Sequence, residues 1–130
     1  MPRALTNQGA VSGDFIQQNV DCDAFSAAPT LLTGSADAIN PHVSGNYIIK
    51  TAGVDAMTLT APTVGLDDNL NIQIWSDTTN AHTLTATSLL ANGTALKTTA
   101  TFAAFRGAGI GLRAFNGVWQ VIANTAVTLT

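Results

Sequence analysis

Apolar and polar residues alternate along most of the chain from residue 45 onward. Met57 and Leu59 fall on one side of an extended strand, and the threonines between and beside them fall on the other. Leu70, Ile72 and Ile74 repeat this arrangement against polar neighbours. The period is two residues and not 3.6, which predicts strands that each turn one face toward a core.

Eight such runs follow one another at regular spacing, and each is closed by turn residues. Short, evenly spaced strands of this kind are typical of a β-sandwich or β-barrel. The pattern therefore predicts an all-β domain over residues 45–130. The predicted strands are Asn46–Thr51, Ala56–Thr60, Asn69–Ser76, His82–Thr87, Ala95–Ala103, Gly109–Phe115, Val118–Ala123 and Ala126–Leu129.

Asn116-Gly117 is the best-defined turn. It joins Ile110–Phe115 to Val118–Ala123, and a two-residue Asn-Gly loop favours a type I′ hairpin because both residues tolerate positive φ. The second strand of this hairpin is apolar on both sides. We therefore expect it to be a central strand or part of a contact between subunits.

Residues 1–44 differ from the rest of the chain: they contain three prolines and show no sustained alternation of apolar and polar residues. We interpret them as an irregular N-terminal arm or loop-rich segment; the alternative is that they add a strand to the same sheet. Ala27–Leu32 is long enough for a short strand or one helical turn. Phe15, Ile16 and Phe25 are the candidate anchors by which the arm would dock on a partner.

The charge balance narrows the classes of partner. Charged residues make up 10% of the 130 residues, with 5 Lys+Arg against 8 Asp+Glu, whereas ordinary domains have about 25% charged residues. This chain has no basic field that would attract nucleic acid. No apolar run is long enough for a membrane span, and the first residues lack the apolar stretch of a secretory signal. We therefore expect a non-exported protein with neither nucleic acid nor membrane as partner.

Candidate catalytic and metal-ligating residues are few. His42, His82 and the single cysteine, Cys22, show no metal-ligand spacing, so we expect no metal and no cofactor. Both histidines are interpreted as turn residues near the surface. Ser76, Asp77 and His82 contain the residue types of a catalytic triad, but no Gly-x-Ser-x-Gly motif frames a serine. The sequence therefore predicts no catalytic residues and no enzyme.

Two groups of side chains are candidates for binding. Arg106 and Arg113 are candidate partner contacts, because cations are rare in this chain and suit an ion pair across an interface. Tyr47, Trp75 and Trp119 are candidate glycan-facing residues if they are exposed, because aromatic rings stack on sugars. The alternative for these aromatic residues is packing in the core.

A succession of short segments in residues 45–130 carries a family resemblance. It resembles small virion proteins of tailed bacteriophages and prophages, of the capsid decoration, or cement, type. The segments are Gly45–Lys50, Met57–Thr63, Asp67-Asp68 before Ile72–Ile74, Ala81–Thr85, Thr101–Ala103 and Ala114–Ile122.

The resemblance implies a jelly-roll-like β-domain on the outer surface of the capsid, made in the cytoplasm of the host bacterium. Such a protein has no active site and works as a homo-oligomer, with a trimer favoured over a dimer, that clamps subunits of the major capsid protein. The alternative is a receptor-binding or glycan-binding module of a tail or head fibre. That alternative requires Trp75 or Trp119 to be exposed beside polar side chains.

Overall fold

The computed structural model describes residues 28–130, which form a curled, barrel-like mixed β-sheet. None of these residues is in a helix, so this part of the chain has no helix that could cross a bilayer. The strands are β1 (Thr30–Leu32), β2 (Ala38–Ile39), β3 (Gly45–Ile49), β4 (Ala56–Leu59), β5 (Asn71–Ser76), β6 (Thr83–Asn92), β7 (Ala95–Phe102), β8 (Gly109–Phe115), β9 (Val118–Thr125) and β10 (Val127–Leu129).

The first six strands form two groups of parallel strands, one odd-numbered and one even-numbered, at the two edges of the sheet. β1, β3 and β5 pair in parallel, and so do β2, β4 and β6. The antiparallel strands β8 and β9 connect the two groups, since β8 pairs with β5 and β9 pairs with β6. The strand order is β1-β3-β5-β8-β9-β6-β4-β2, while β7 pairs with β6 and β10.

The parallel registers explain how alternating residues become a core. Leu32 lies beside Ile49, which lies beside Ser76, and all three are buried. Ile39 lies beside Leu59 on the facing group, and both are buried. Each strand contributes every second residue to the same interior, as the period of two requires.

The predicted all-β class is confirmed. Each of the eight predicted runs corresponds to a strand, one of them, Gly109–Phe115, with the same ends and the other seven with shifted ends. Which strands pair with each other is known only from the structure, because alternation along one strand does not indicate which strands lie next to it. Five of the nine strand pairs described here are parallel.

The Asn116-Gly117 hairpin is also confirmed. The φ angles are 51° at Asn116 and 81° at Gly117, as a type I′ turn requires. β9 lies between β8 and β6, so the expectation of a central strand holds. A shift in register places Ala123 opposite Gly111, and this bulge leaves Ile122 exposed although the strand is central.

Of the two interpretations of residues 1–44, the one that adds strands to the same sheet holds for the part that the structure describes. β1 pairs with β3 and β2 pairs with β4, so residues 30–39 belong to the same sheet as the rest. Thr30–Leu32 forms a strand, which is one of the two interpretations given for the segment 27–32. Phe15, Ile16 and Phe25 lie outside the described residues, and their anchoring role stays a prediction.

Gly109 occupies a position where the sheet leaves no room for a side chain. A Cβ atom there would lie 2.7 Å from Trp75 Cβ and 3.1 Å from the Ile74 carbonyl oxygen. We expect Gly109→Ala to lower the free energy of unfolding by about 1–3 kcal/mol because strand β5 must shift. Urea denaturation measures the change.

Gly53→Ala is the matched control, since a Cβ atom at Gly53 has no atom within 4 Å. We expect its stability to stay within about 1 kcal/mol of the wild type. Equal losses of stability in both variants would show that the close approach of strand β5 to Gly109 is not the cause of the loss.

Candidate interaction surface

Four large apolar side chains project into solvent at one end of the barrel. Val43 is 73% exposed, Val64 64%, Leu66 78% and Phe115 56%. They lie on three neighbouring segments: the loop before β3, the loop from β4 to β5, and the end of β8. We call this surface the apolar end.

The loop from β4 to β5 is held in shape by its own carboxylate. The buried Asp67 accepts a hydrogen bond from the Thr63 backbone N–H through Oδ2 at 2.7 Å, and its own N–H donates to the Thr63 carbonyl at 2.9 Å. His42 Nδ1 lies 3.8 Å from Asp67 Oδ1, so the loop before β3 contacts the same point. The Asp67 carboxylate therefore contacts both loops and helps to fix the shape of the apolar end.

The same loop is fixed to the β8–β9 hairpin. Asp68 Oδ1 accepts a hydrogen bond from the Asn116 N–H at 2.9 Å. Val64 packs closely on the turn, because a Cβ atom on Gly117 would lie 3.1 Å from Val64 Cγ2. The segments of the apolar end therefore form one connected surface, and little conformational entropy remains to be lost when a partner covers it.

The opposite end of the barrel is polar. Lys50 Nζ donates to Asp77 Oδ2 at 2.7 Å, and Arg106 Nε donates to the Asp77 carbonyl oxygen at 3.2 Å. The Lys50 hydrogen bond and charge, with a smaller contribution from Arg106, lower the pKa of Asp77. Val54 and Phe105 are exposed here too, at 53% and 44%. We call this surface the polar end.

The two arginines proposed as partner contacts are not brought together. Arg106 is exposed at the polar end, beside Asp77. Arg113 is exposed on the outer face of β8, where its Nε donates to Asn71 Oδ1 at 3.2 Å. Each is accessible to a partner, and that role stays a prediction.

The three candidate glycan-facing aromatic residues have different environments. Trp119 is fully buried and its Nε1 donates to the Thr60 carbonyl at 2.9 Å, so the prediction is wrong for this residue. Tyr47 is half-buried against the core, and burial raises the pKa of its hydroxyl. Trp75 alone of the three lies on the outer face, because its neighbours Ile74 and Ser76 turn inward.

A buried polar cluster lies near the polar end, around His82. The imidazole Nδ1 accepts a hydrogen bond from the Asp55 N–H at 3.1 Å, and Nε2 lies 2.6 Å from Thr78 Oγ1. Because Nδ1 accepts, the neutral ring carries its proton on Nε2 and donates it to Thr78. Burial lowers the pKa of His82 accordingly. The interpretation of His82 as a surface residue is wrong, whereas His42 is exposed.

The structure also shows how Ser76, Asp77 and His82, which have the residue types of a catalytic triad, are arranged. Ser76 and His82 each bond to Thr78 and not to each other. Asp77 lies at the surface with Lys50 and does not touch the imidazole. This network ties the β5–β6 connection together and contains no contact between the Ser76 hydroxyl and the His82 imidazole.

Asp55 is the unusual member of the cluster. Its Oδ1 accepts a hydrogen bond from the Asp37 N–H at 3.0 Å, while its buried Oδ2 has no partner in the described part of the protein. Burial of this carboxylate raises its pKa from 3.8 to about 6. The folded state therefore favours the protonated acid.

This pKa gives a signed prediction for stability against pH. The folded protein keeps the Asp55 proton up to about pH 6, whereas the unfolded carboxyl loses it near 3.8. The wild type therefore loses stability as pH rises through this window. Asp55→Asn has no such loss, and its Oδ1 can still accept from Asp37.

We expect the stability of Asp55→Asn relative to wild type to increase by about 2–3 kcal/mol from pH 4 to pH 7. Chemical denaturation at several pH values measures the difference, in which the contribution of His82 cancels because both proteins contain it. A difference that is constant over this range would contradict a raised pKa of the buried Asp55 carboxyl.

Among residues 28–130, no three His, Cys, Asp or Glu side chains are grouped so that they could hold a metal ion. Comparison with known protein families and with curated protein sequences finds no match for this chain.

Proposed function

We propose that this protein is a non-enzymatic capsid decoration protein that binds the outer surface of a tailed-phage head through its apolar end. It would bridge subunits of the major capsid protein and stabilise the shell. The observation that carries the proposal is the apolar end itself, with four exposed large side chains on connected segments. Connected apolar surface of this kind marks interaction sites in soluble proteins.

The physical chemistry of this surface suits a structural contact. Burial of a side chain such as Leu66 or Phe115 contributes about 1.5–3 kcal/mol. The acids at this end, Asp67 and Asp68, already accept hydrogen bonds from backbone N–H groups. These hydrogen bonds lower the cost of removing water from the two carboxylates when a partner covers the apolar end.

Modest affinity at each copy is enough for this function. A shell offers many identical sites, and rupture must break several contacts together, so contacts of ordinary strength add up to a large effect. We propose a homo-oligomer, a trimer before a dimer, on the virion surface after synthesis in the host cytoplasm. Arg106, at the polar end, is the proposed polar contact to a neighbouring copy, and Arg113, on the outer face of β8, is the proposed polar contact to a neighbouring copy or to the capsid protein.

The experiment is co-sedimentation of the purified protein with undecorated mature heads of the cognate phage, followed by heating of decorated and bare heads. We expect saturable binding, and release of DNA at a higher temperature from decorated heads. The absence of binding, or binding that leaves the release temperature unchanged, would refute the proposal.

A further inference from the structure

A shallow groove of about 190 Å³ crosses the outer face of strands β5, β8 and β9. Trp75 and Gln73 line one wall, Thr125 contributes to the other, and Gly109 and Gly111 lie between them. The groove is open to solvent and separate from the residues of the apolar end.

The groove exists because two outward positions of β8 have no side chain. Gly109 pairs with Trp75, and Gly111 pairs with Gln73 on β5 and with Ala123 on β9. A Cβ atom would approach Trp75 Cβ to 2.7 Å at Gly109, and Ala123 Cβ to 3.2 Å at Gly111. The floor is therefore bare backbone that neighbouring side chains keep from being filled.

The walls combine an aromatic ring with unused polar groups. Trp75 is partly exposed on this outer face, although it is the largest kind of apolar side chain. The Gln73 amide and the Thr125 hydroxyl form no hydrogen bond within residues 28–130, whereas the nearby Asn124 amide is occupied by the Val127 backbone. Gln73 and Thr125 can thus both donate and accept hydrogen bonds to a ligand.

We propose that this groove is a carbohydrate-binding site for a neutral sugar. The apolar C–H face of a pyranose ring would pack on the Trp75 indole, while its hydroxyls bond to Gln73 and Thr125. The lining contains no charged side chain, so the site has no partner for the carboxylate of an acidic sugar. The inference is independent of capsid binding, because it uses a different surface.

An NMR titration of the full chain tests the site, with glucose, galactose, mannose, N-acetylglucosamine and maltose as separate probes at millimolar concentrations. We expect saturable shifts of the Trp75 indole N–H and of the Gly109 and Gly111 amides with at least one probe. The Trp119 indole N–H, which is buried and bonded to Thr60, is the internal reference and should not move.

Variants assign any binding to the groove. We expect Trp75→Ala to weaken binding about tenfold, and Gln73→Ala to weaken it severalfold, because they remove the stacking surface and one hydrogen-bonding group. Phe115→Ala removes an exposed aromatic ring elsewhere and should leave the affinity unchanged. An unmoved Trp119 indole resonance in each variant confirms that the fold is retained.

Two results would overturn the proposal: no saturable shift with any of the five probes, or equal affinity in the wild type and in the Gln73 and Trp75 variants. Tighter binding of sialyllactose than of the neutral sugars would overturn the assignment to neutral ligands. Each of these results leaves the co-sedimentation experiment unaffected, so failure of this site and failure of capsid binding are distinguishable.

Discussion

Trp119→Ala should lower the free energy of unfolding by about 3–5 kcal/mol, the largest loss that we expect from a single substitution in this chain. Trp119 is fully buried in the central strand β9, beside Leu90 of β6 and Ala114 of β8. Its removal leaves a cavity between the two groups of parallel strands, and it leaves the Thr60 carbonyl without its indole donor. Equilibrium urea denaturation measures the loss.

Trp75→Ala is the matched control, because it truncates the same kind of side chain on the outer face of β5. We expect it to cost about 1–3 kcal/mol, less than Trp119→Ala, since a partly exposed ring buries less apolar surface and leaves no closed cavity. Similar losses in the two variants would contradict the assignment of Trp119 to the core and Trp75 to the surface.

Leu66→Asp combined with Phe115→Asp should weaken binding to undecorated heads by at least about a hundredfold. Each substitution removes apolar area from the proposed contact and places there a carboxylate that must be desolvated or left unpaired. The two residues are 78% and 56% exposed, so the free energy of unfolding should stay close to the wild-type value. Co-sedimentation gives the affinity and urea denaturation checks the fold.

Val54→Asp combined with Phe105→Asp adds the same charge and removes the same kinds of side chain at the polar end, where these residues are 53% and 44% exposed. We expect this control to bind heads as the wild type does. Equal loss of binding in both double variants would show that added negative charge, and not the apolar end, determines the effect.

The strands could be predicted from sequence because alternation is local. The turn at Asn116 and Gly117 could likewise be predicted, because it depends only on the φ angles of these two residues. β2 was missed because a two-residue strand has no measurable period, and it forms through its pairing with β4. The parallel pairing of β1 with β3 is a long-range property that neither segment encodes alone.

The candidate site was only partly predictable. The phase of β5 already separates Trp75 from Ile72 and Ile74 and groups it with Gln73, so its outward position could have been predicted. The burial of His82 could not, because it depends on Asp55, a partner 27 residues away.

The sequence contains a signal for the apolar end. Val64 and Leu66 lie between two predicted strands, in a loop marked by Pro62 and Gly65. These loop residues are not part of an alternating strand that would orient them toward the core. Apolar residues at such positions are candidates for partner contacts. Their connection to Phe115 became visible only in the fold.

The most direct test of capsid binding through the apolar end is a cryo-electron microscopy reconstruction of cognate heads incubated with the purified protein. We expect ordered density on the outer shell, with Leu66 and Phe115 against the major capsid protein and the polar end, with Asp77 and Arg106, turned away. Heads without added density, or density that contacts the shell through the polar end, would contradict it.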